Sequence, residues 1–225
     1  ELIEDPREAV GERAAVATRF SVALDEPETY DAFGLLADLP DLWDLTVPDY
    51  SIEMGSSRFV KEGDFGDSIA HAKSLTDRPV VAVGRYTSPD TMAQALRTGQ
   101  QDLIGAARPS IADPFLPRKI DEGRVEDIRE CIGCNICIVG DMTMSISRCT
   151  QNPTFMEEWR KGWHPETMNE RASASSVLIV GSGPAGLEAA RACVERGYDV
   201  ALVEAKSQLG GRVARERQLP GLSAW

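Results

Sequence analysis

Four strand–helix repeats, four cysteines within nineteen residues, and a glycine turn directly behind an apolar strand predict an α/β chain. The expected order is the C-terminal half of a TIM (β/α)8 barrel over 1–125, a cysteine-bearing segment and linker over 126–172, and the start of a Rossmann-like nucleotide-binding domain over 173–225. With 42% hydrophobic and 27% charged residues in 225, the composition is that of a globular protein with one large domain or two small ones.

Taken in order, residues 1–11 (ELIEDPREAVG) read as the end of an amphipathic helix closed by Gly11. Strand candidates follow at AVATRFSV (15–22), DLWDLTV (41–47), PVVAVG (79–84) and DLIGAA (102–107). Between them lie the helical patterns PETYDAFGLLADL, DSIAHAKSL and SPDTMAQALRTG. In the last of these, Pro89 takes a first-turn place behind a Ser88 cap. Strand and helix alternating at this spacing mean a parallel sheet with right-handed crossovers. Four units do not close a barrel, so the sheet is either small and open or half of an eight-stranded one.

The strand ends favour the half barrel. Gly84 and Arg85 end one strand, Ala107 and Arg108 the next. Small residues let backbone amides approach a phosphate, and arginine adds a planar, permanently charged fork. Phosphate sites on the loops after strands seven and eight are common in TIM barrels, which would make these strands five to eight. For either arginine alone, a surface salt bridge is the competing explanation. Arg19, late in the first strand, stands on the same face. There it can stabilise the N1 side of a reduced flavin.

Residues 131–149 (CIGCNICIVGDMTMSISRC) give Cys131, Cys134 and Cys137 a C-x2-C-x2-C spacing, with Cys149 closing the set. Three thiolates from one loop and a fourth from farther along suit a [4Fe–4S] cluster. Zinc more often takes two separated C-x2-C pairs, and a disulfide cluster fits poorly with a chain that lacks a signal peptide. Beyond it, His164 reads as packing beside Trp163 in a linker, and His71 as a solvated residue.

The run SSVLIVGSGPAGLEAARACVERGYDVALVEA (175–205) supplies strand, turn, helix and strand. Gly181, Gly183 and Gly186, with Ser182, Pro184 and Ala185 between them, form a G-x-G-x-x-G turn that brings a pyrophosphate to a helix N-terminus. Glu204 ends the next strand, where a carboxylate takes ribose hydroxyls. Gly211 and Arg212 resemble the second phosphate contact of FAD-type domains, and the bound nucleotide is expected to be ADP or FAD. Cys193 is read as a core residue of the helix.

A formal charge of -12 argues against nucleic acid, and no apolar run reaches the length of a membrane span. Reduced cysteines without a targeting segment point to the cytoplasm. A chain opening on Glu1 and ending at Trp225, inside a nucleotide signature, reads as an internal piece of a longer enzyme, inactive by itself.

The runs RFSV, DLWDLTV, SRF, VGRYTSPD, GAARPSIADPFLP, ECIGCNIC, RCTQNP and GWHPE, in that order, resemble trimethylamine dehydrogenase and its dimethylamine and histamine dehydrogenase relatives, within the old-yellow-enzyme class. The resemblance implies an FMN-binding barrel, with Arg19 facing the flavin and Arg108 on the FMN phosphate. It also implies a [4Fe–4S] cluster held by the four cysteines, and a following domain that holds ADP in the amine enzymes or FAD in the reductases. The family's acid in the loop after the sixth strand has its nearest match in Glu53, and Tyr50 stands for an aromatic wall that holds a cationic amine. That loop is shorter here, and Gly140 replaces the family's tryptophan. The implied activity is oxidation of a small amine by a homodimer, with an electron-transferring flavoprotein as acceptor. An NAD(P)H-dependent enoate or 2,4-dienoyl-CoA reductase is the first alternative, although such enzymes usually carry C-x2-C-x3-C. A zinc-stabilised nucleotide-binding module is the second.

Overall fold

Each apolar run of the barrel portion becomes a short strand: β1 Ala17–Ser21, β2 Leu42–Thr46, β3 Val80–Val83 and β4 Leu103–Gly105. All four pair in parallel in sequence order. The computed structural model describes residues 2–23, 25–46, 57–161 and 168–214. Contacts divide the chain into Glu1–Asn152 and Pro153–Trp225.

In the first unit α1 Glu4–Val10 leads into the sheet, and Gly11 closes it with φ +56°. The crossovers are α2 Pro27–Leu36, α3 Gly66–Lys73 and α4 Pro89–Arg97. Pro27 and Pro89 each occupy a first helical turn, where no amide hydrogen is required. β4 is shorter than expected, because α5 Ala107–Ala112 begins where the strand was expected to continue. Gly105 fits closely there: a Cβ on it would lie 3.0 Å from the Ala82 carbonyl. α6 Leu116–Asp121 and α7 Ile136–Met142 complete this unit.

Alternation sorts the strand residues by face. Trp43, Leu45, Val80 and Ala82 are fully buried against Tyr30, Phe33, Ile69 and Ala72 of the crossover helices, with Phe20 packed on the same cluster. Each such large side chain contributes about 1.5–3 kcal/mol by leaving water. The Ala37 carbonyl just past α2 accepts from both Trp43 Nε1 (2.9 Å) and Thr76 Oγ1 (2.8 Å), so a helix-end acceptor stays paired. His71 is exposed, as expected, and its ring meets Tyr30 edge-on at 4.4 Å.

One device recurs at the sheet's entry edge. Asp41 exchanges bonds with Val16, its amide giving to the Val16 carbonyl and its carboxylate taking the Val16 N–H at 2.8 Å. Asp102 does the same with Val80. An aspartate before every second strand thus pairs the start of the preceding one.

In the second unit, β5 Ser176–Val180 and β6 Asp199–Val203 pair in parallel around α9 Pro184–Glu195, preceded by the single turn α8 Glu158–Lys161. Ile179 faces α9 beside Gly186, whereas Leu178 and Val180 on the other face are exposed. Cys193 is half-buried in α9. Among the described residues no helix is long and apolar enough to cross a membrane.

Candidate functional site

Parallel pairing brings the C-terminal ends of the four strands to one edge, and the loops leaving them carry the candidate residues. Arg19 lies on the face opposite the helix-covered core, in register with Asp44, and the two form an ion pair at 3.0 Å. Tyr50, Glu53, Trp163 and His164 lie outside the described residues.

Residues 57–65 cross the end of β3. The Gly63 amide gives 2.8 Å to the Gly84 carbonyl, and a Cβ on Gly84 would fall 3.1 Å from Gly63 Cα and 3.0 Å from the Tyr86 ring. Close backbone approach therefore favours glycine at 84 whether or not a phosphate binds there. Glu62 Oε1 accepts the amides of Thr87 (2.6 Å) and Ser88 (2.9 Å). Burial pushes the Glu62 carboxyl up, and the two amides and the Arg85 charge oppose that. The expected Ser88 cap is a correction: Ser88 occupies the cap position with extended backbone, but its hydroxyl makes no cap bond. The Glu62 carboxylate takes the Thr87 and Ser88 amides just ahead of the helix.

The cysteine loop lies on these same loops. Cys131 N donates to Thr87 Oγ1 at 3.1 Å, and its carbonyl accepts from Arg85 Nη1 at 3.3 Å. Arg85 Nη2 reaches the Val60 carbonyl at 2.7 Å, while its Nε is buried without an acceptor. Arg58 N gives to the Gly133 carbonyl at 3.0 Å, and Gly133 holds φ +64° with room for no Cβ, since one would sit 2.7 Å from Arg58 N. Ala107 opens α5, and Arg108 beside it donates to Asn135 Oδ1 at 2.5 Å, between Cys134 and Cys137. Both ends of the segment return to one place. Arg129 N binds Asp113 Oδ2 (2.9 Å), and Asn152 Nδ2 binds the Ile111 carbonyl (2.9 Å). Asp113 is itself locked by Lys119, 2.7 Å away and equally buried.

All four clustered thiols are free. Burial pushes Cys131 and Cys137 up, while amides of Gly133 and Ile138 and the Arg108 charge pull the other way. Cys137 is an electrostatic neighbour of Cys131, Cys134 and Cys149. Cys149 Sγ takes the Gln151 amide at 3.4 Å, and Cys134 Sγ meets Thr150 Oγ1 at 3.3 Å. The amide partners and the two nearby cations oppose that burial without reversing it, and they suit an anionic iron–sulfur group. Among the described residues no three His, Cys, Asp or Glu side chains are grouped to hold a single metal ion. A tetrahedral zinc site would need sulfurs roughly 3.8 Å apart, from Zn–S bonds of about 2.3 Å. A cubane spreads its ligands more widely.

In the second unit, Gly181 adopts φ +98°, and a Cβ on Gly186 would lie 1.9 Å from the Gly181 carbonyl. Only glycine allows α9 so near the turn. Gly183 caps α9, with Pro184 and Ala185 in its first turn. Fully buried Ser182 gives both its amide (2.9 Å) and its hydroxyl (2.7 Å) to Glu204 Oε2. Those two bonds, with the Lys206 amide, hold the Glu204 carboxyl down at about 2. The Gly210 amide binds the Ser182 carbonyl (2.8 Å), and Gly211 packs on Gly183, so exposed Arg212 lies beside the same turn.

Sequence reasoning missed Arg58, Glu62, Thr87, Asn135 and the Asp113–Lys119 pair. Only Gly133 and Asn135, lying inside the cysteine spacing, offered a local signal.

The model of the NADH:flavin oxidoreductase / NADH oxidase family matches residues 1–127, and that of an NAD(P)-binding Rossmann-like domain matches residues 179–224. Dimethylamine dehydrogenase of Hyphomicrobium sp. (strain x) is 47% identical over 100% of this chain and 32% of its own length. The structure of histamine dehydrogenase from Rhizobium sp. 4-9 matches with TM-score 0.91 and 58% identity, over 100% of this chain and 34% of that one. An amine oxidase acting on 6-hydroxypseudooxynicotine, from Pseudomonas geniculata N1, gives 0.90 and 48%, over 99% and 35%. The chain thus spans about a third of the length of these relatives.

Proposed function

The chain belongs to the NADH:flavin oxidoreductase / NADH oxidase family, and from that premise we propose that its full-length protein is an FMN- and [4Fe–4S]-dependent dehydrogenase of a small, methylated amine. When bound, FMN supplies a hydride acceptor and the cluster supplies one-electron transfer toward an electron-transferring flavoprotein. The reading places 1–125 as half of the FMN barrel, 126–172 as cluster segment and linker, and 173–225 as the start of an ADP- or FAD-binding domain. It takes the protein to be a cytoplasmic homodimer.

One observation carries the reading: the four-cysteine segment is fastened to the very loops that leave the C-terminal ends of β2, β3 and β4. Ligands in parallel α/β sheets bind at that end. A one-electron group there would stand beside a flavin without any intervening domain.

This chain's residues have distinct parts. Arg19 presents a cation on the open face of the sheet, to meet charge developing on the flavin ring. Arg108 and the backbone at Gly84, Arg85 and Ala107 hold the phosphate. Cys131, Cys134, Cys137 and Cys149 ligate the cluster. Tyr50 and Glu53, which lie outside the described residues, are assigned to the amine pocket by the family resemblance alone. Gly181–Gly186, Glu204, Gly211 and Arg212 hold the second nucleotide, with Ser182 keeping Glu204 ionised and in place. The three matched amine enzymes support an amine as substrate.

Anaerobic stopped-flow mixing of the full-length protein tests this. Flavin bleaching by methylated amines is expected; bleaching by NADPH alone would favour the reductase. Zinc without iron or sulfide would favour the nucleotide-binding module. Cys134→Ala is expected to keep amine-dependent bleaching and to abolish turnover with the protein acceptor.

A further inference from the structure

We propose, on the basis of the cluster reading above, that Arg85 is a positioning residue for the iron–sulfur group, fixing the Cys131 ligand on the strand-end loops and keeping a permanent cation beside it. Arg85 follows β3 with φ +54°, a left-handed conformation that is uncommon without glycine and persists only where surrounding contacts enforce it. That conformation coincides with a forked contact. One arm reaches Val60 at 2.7 Å, the other Cys131 at 3.3 Å, and the two carbonyls belong to different loops. Two residues on, Thr87 takes the Cys131 N–H. Both backbone polar groups of Cys131 are therefore held from the Arg85–Thr87 turn.

The acceptors of Arg85 are neutral, so its charge is not cancelled by them. Glu62, which feels that charge, commits Oε1 to the Thr87 and Ser88 amides. A cation next to a cluster ligand stabilises the more negative, reduced cluster and raises its potential, as net charge and hydrogen bonding do in such centres generally. Lysine cannot reproduce the contact. Its single ammonium lacks the planar fork that spans two carbonyls, although it keeps the charge.

The test uses the iron-loaded full-length protein prepared under nitrogen, with Arg85→Lys and Arg85→Gln. Iron and sulfide content, the rate of iron release to a chelator, and the midpoint potential from an EPR-monitored titration are measured. Both variants are expected to release iron several-fold faster than wild type. The midpoint should move to a more negative potential in Arg85→Gln and stay near wild type in Arg85→Lys. Wild-type release and potential in Arg85→Gln would overturn the proposal, as would equal potentials in the two variants. A full-length wild type without iron would instead defeat the cluster reading on which it rests, so the two failures are distinct.

Discussion

Lys119→Met tests what anchors the cysteine segment. Lys119 Nζ lies 2.7 Å from Asp113 Oδ2 and 2.7 Å from the Asp127 carbonyl, with the two side chains of the pair 1% and 0% exposed. Asp113 also accepts the Phe115 amide on Oδ1 and the Arg129 amide on Oδ2, each at 2.9 Å. Methionine fills nearly the same volume, so the loss is electrostatic: a buried carboxylate keeps two amides and loses its counter-charge. Removing one partner of a buried pair costs about 3–5 kcal/mol, a large share of a total near 5–15 kcal/mol. For a unit of this size that corresponds to a Tm lower by about 6–20 °C. Thermal unfolding followed by near-ultraviolet circular dichroism reads it. Adding Asp113→Asn removes the stranded charge while leaving an oxygen for the Phe115 amide, so about half of the loss should return. A Lys119→Met Tm within about 2 °C of wild type, less than the shift of a 1 kcal/mol loss, would show that the pair does not anchor the segment, as would a double variant no better than the single one.

Two further outcomes follow from the nucleotide turn. Gly186→Ala forces α9 away from the Gly181 carbonyl, since its Cβ would begin at 1.9 Å. Overpacking of this kind costs about 1–3 kcal/mol, and a weakening of ADP binding by roughly 5- to 150-fold is expected from calorimetric titration of the full-length protein. Glu204 is held down at about 2 by the Ser182 amide and hydroxyl. Because its folded pKa is below its ordinary value of 4.5, its contribution is present above that value and is lost as pH falls toward 2. Thermal stability measured across pH should gain nothing from this group's titration between neutrality and about pH 5, and should lose its contribution progressively below that. Glu204→Gln should flatten the acid limb, and an unchanged limb would point to another group.

The parallel strands, their crossovers and the glycine turn are legible in the residues alone, because each is a local pattern. Val80–Val83 and Ser176–Val180 are apolar runs with helical stretches behind them, and alternation alone separates Arg19 from Phe20. The cysteine spacing was legible for the same reason, since three of the four cysteines lie in one short loop. Tertiary structure alone decided what closes around those cysteines. Arg58, Thr87 and Asn135 are remote in sequence from what they bind, and nothing in their neighbours announces the partner. Gly84 and Arg85 illustrate the limit. Their pattern resembles a phosphate turn, yet Gly84 is also favoured by the close backbone of Gly63, and the arginine side chain turns to Cys131. Periodicity records which side of an element meets the core; a hydrogen bond between distant loops depends on where several crossovers bring them, and only the folded chain sets that distance.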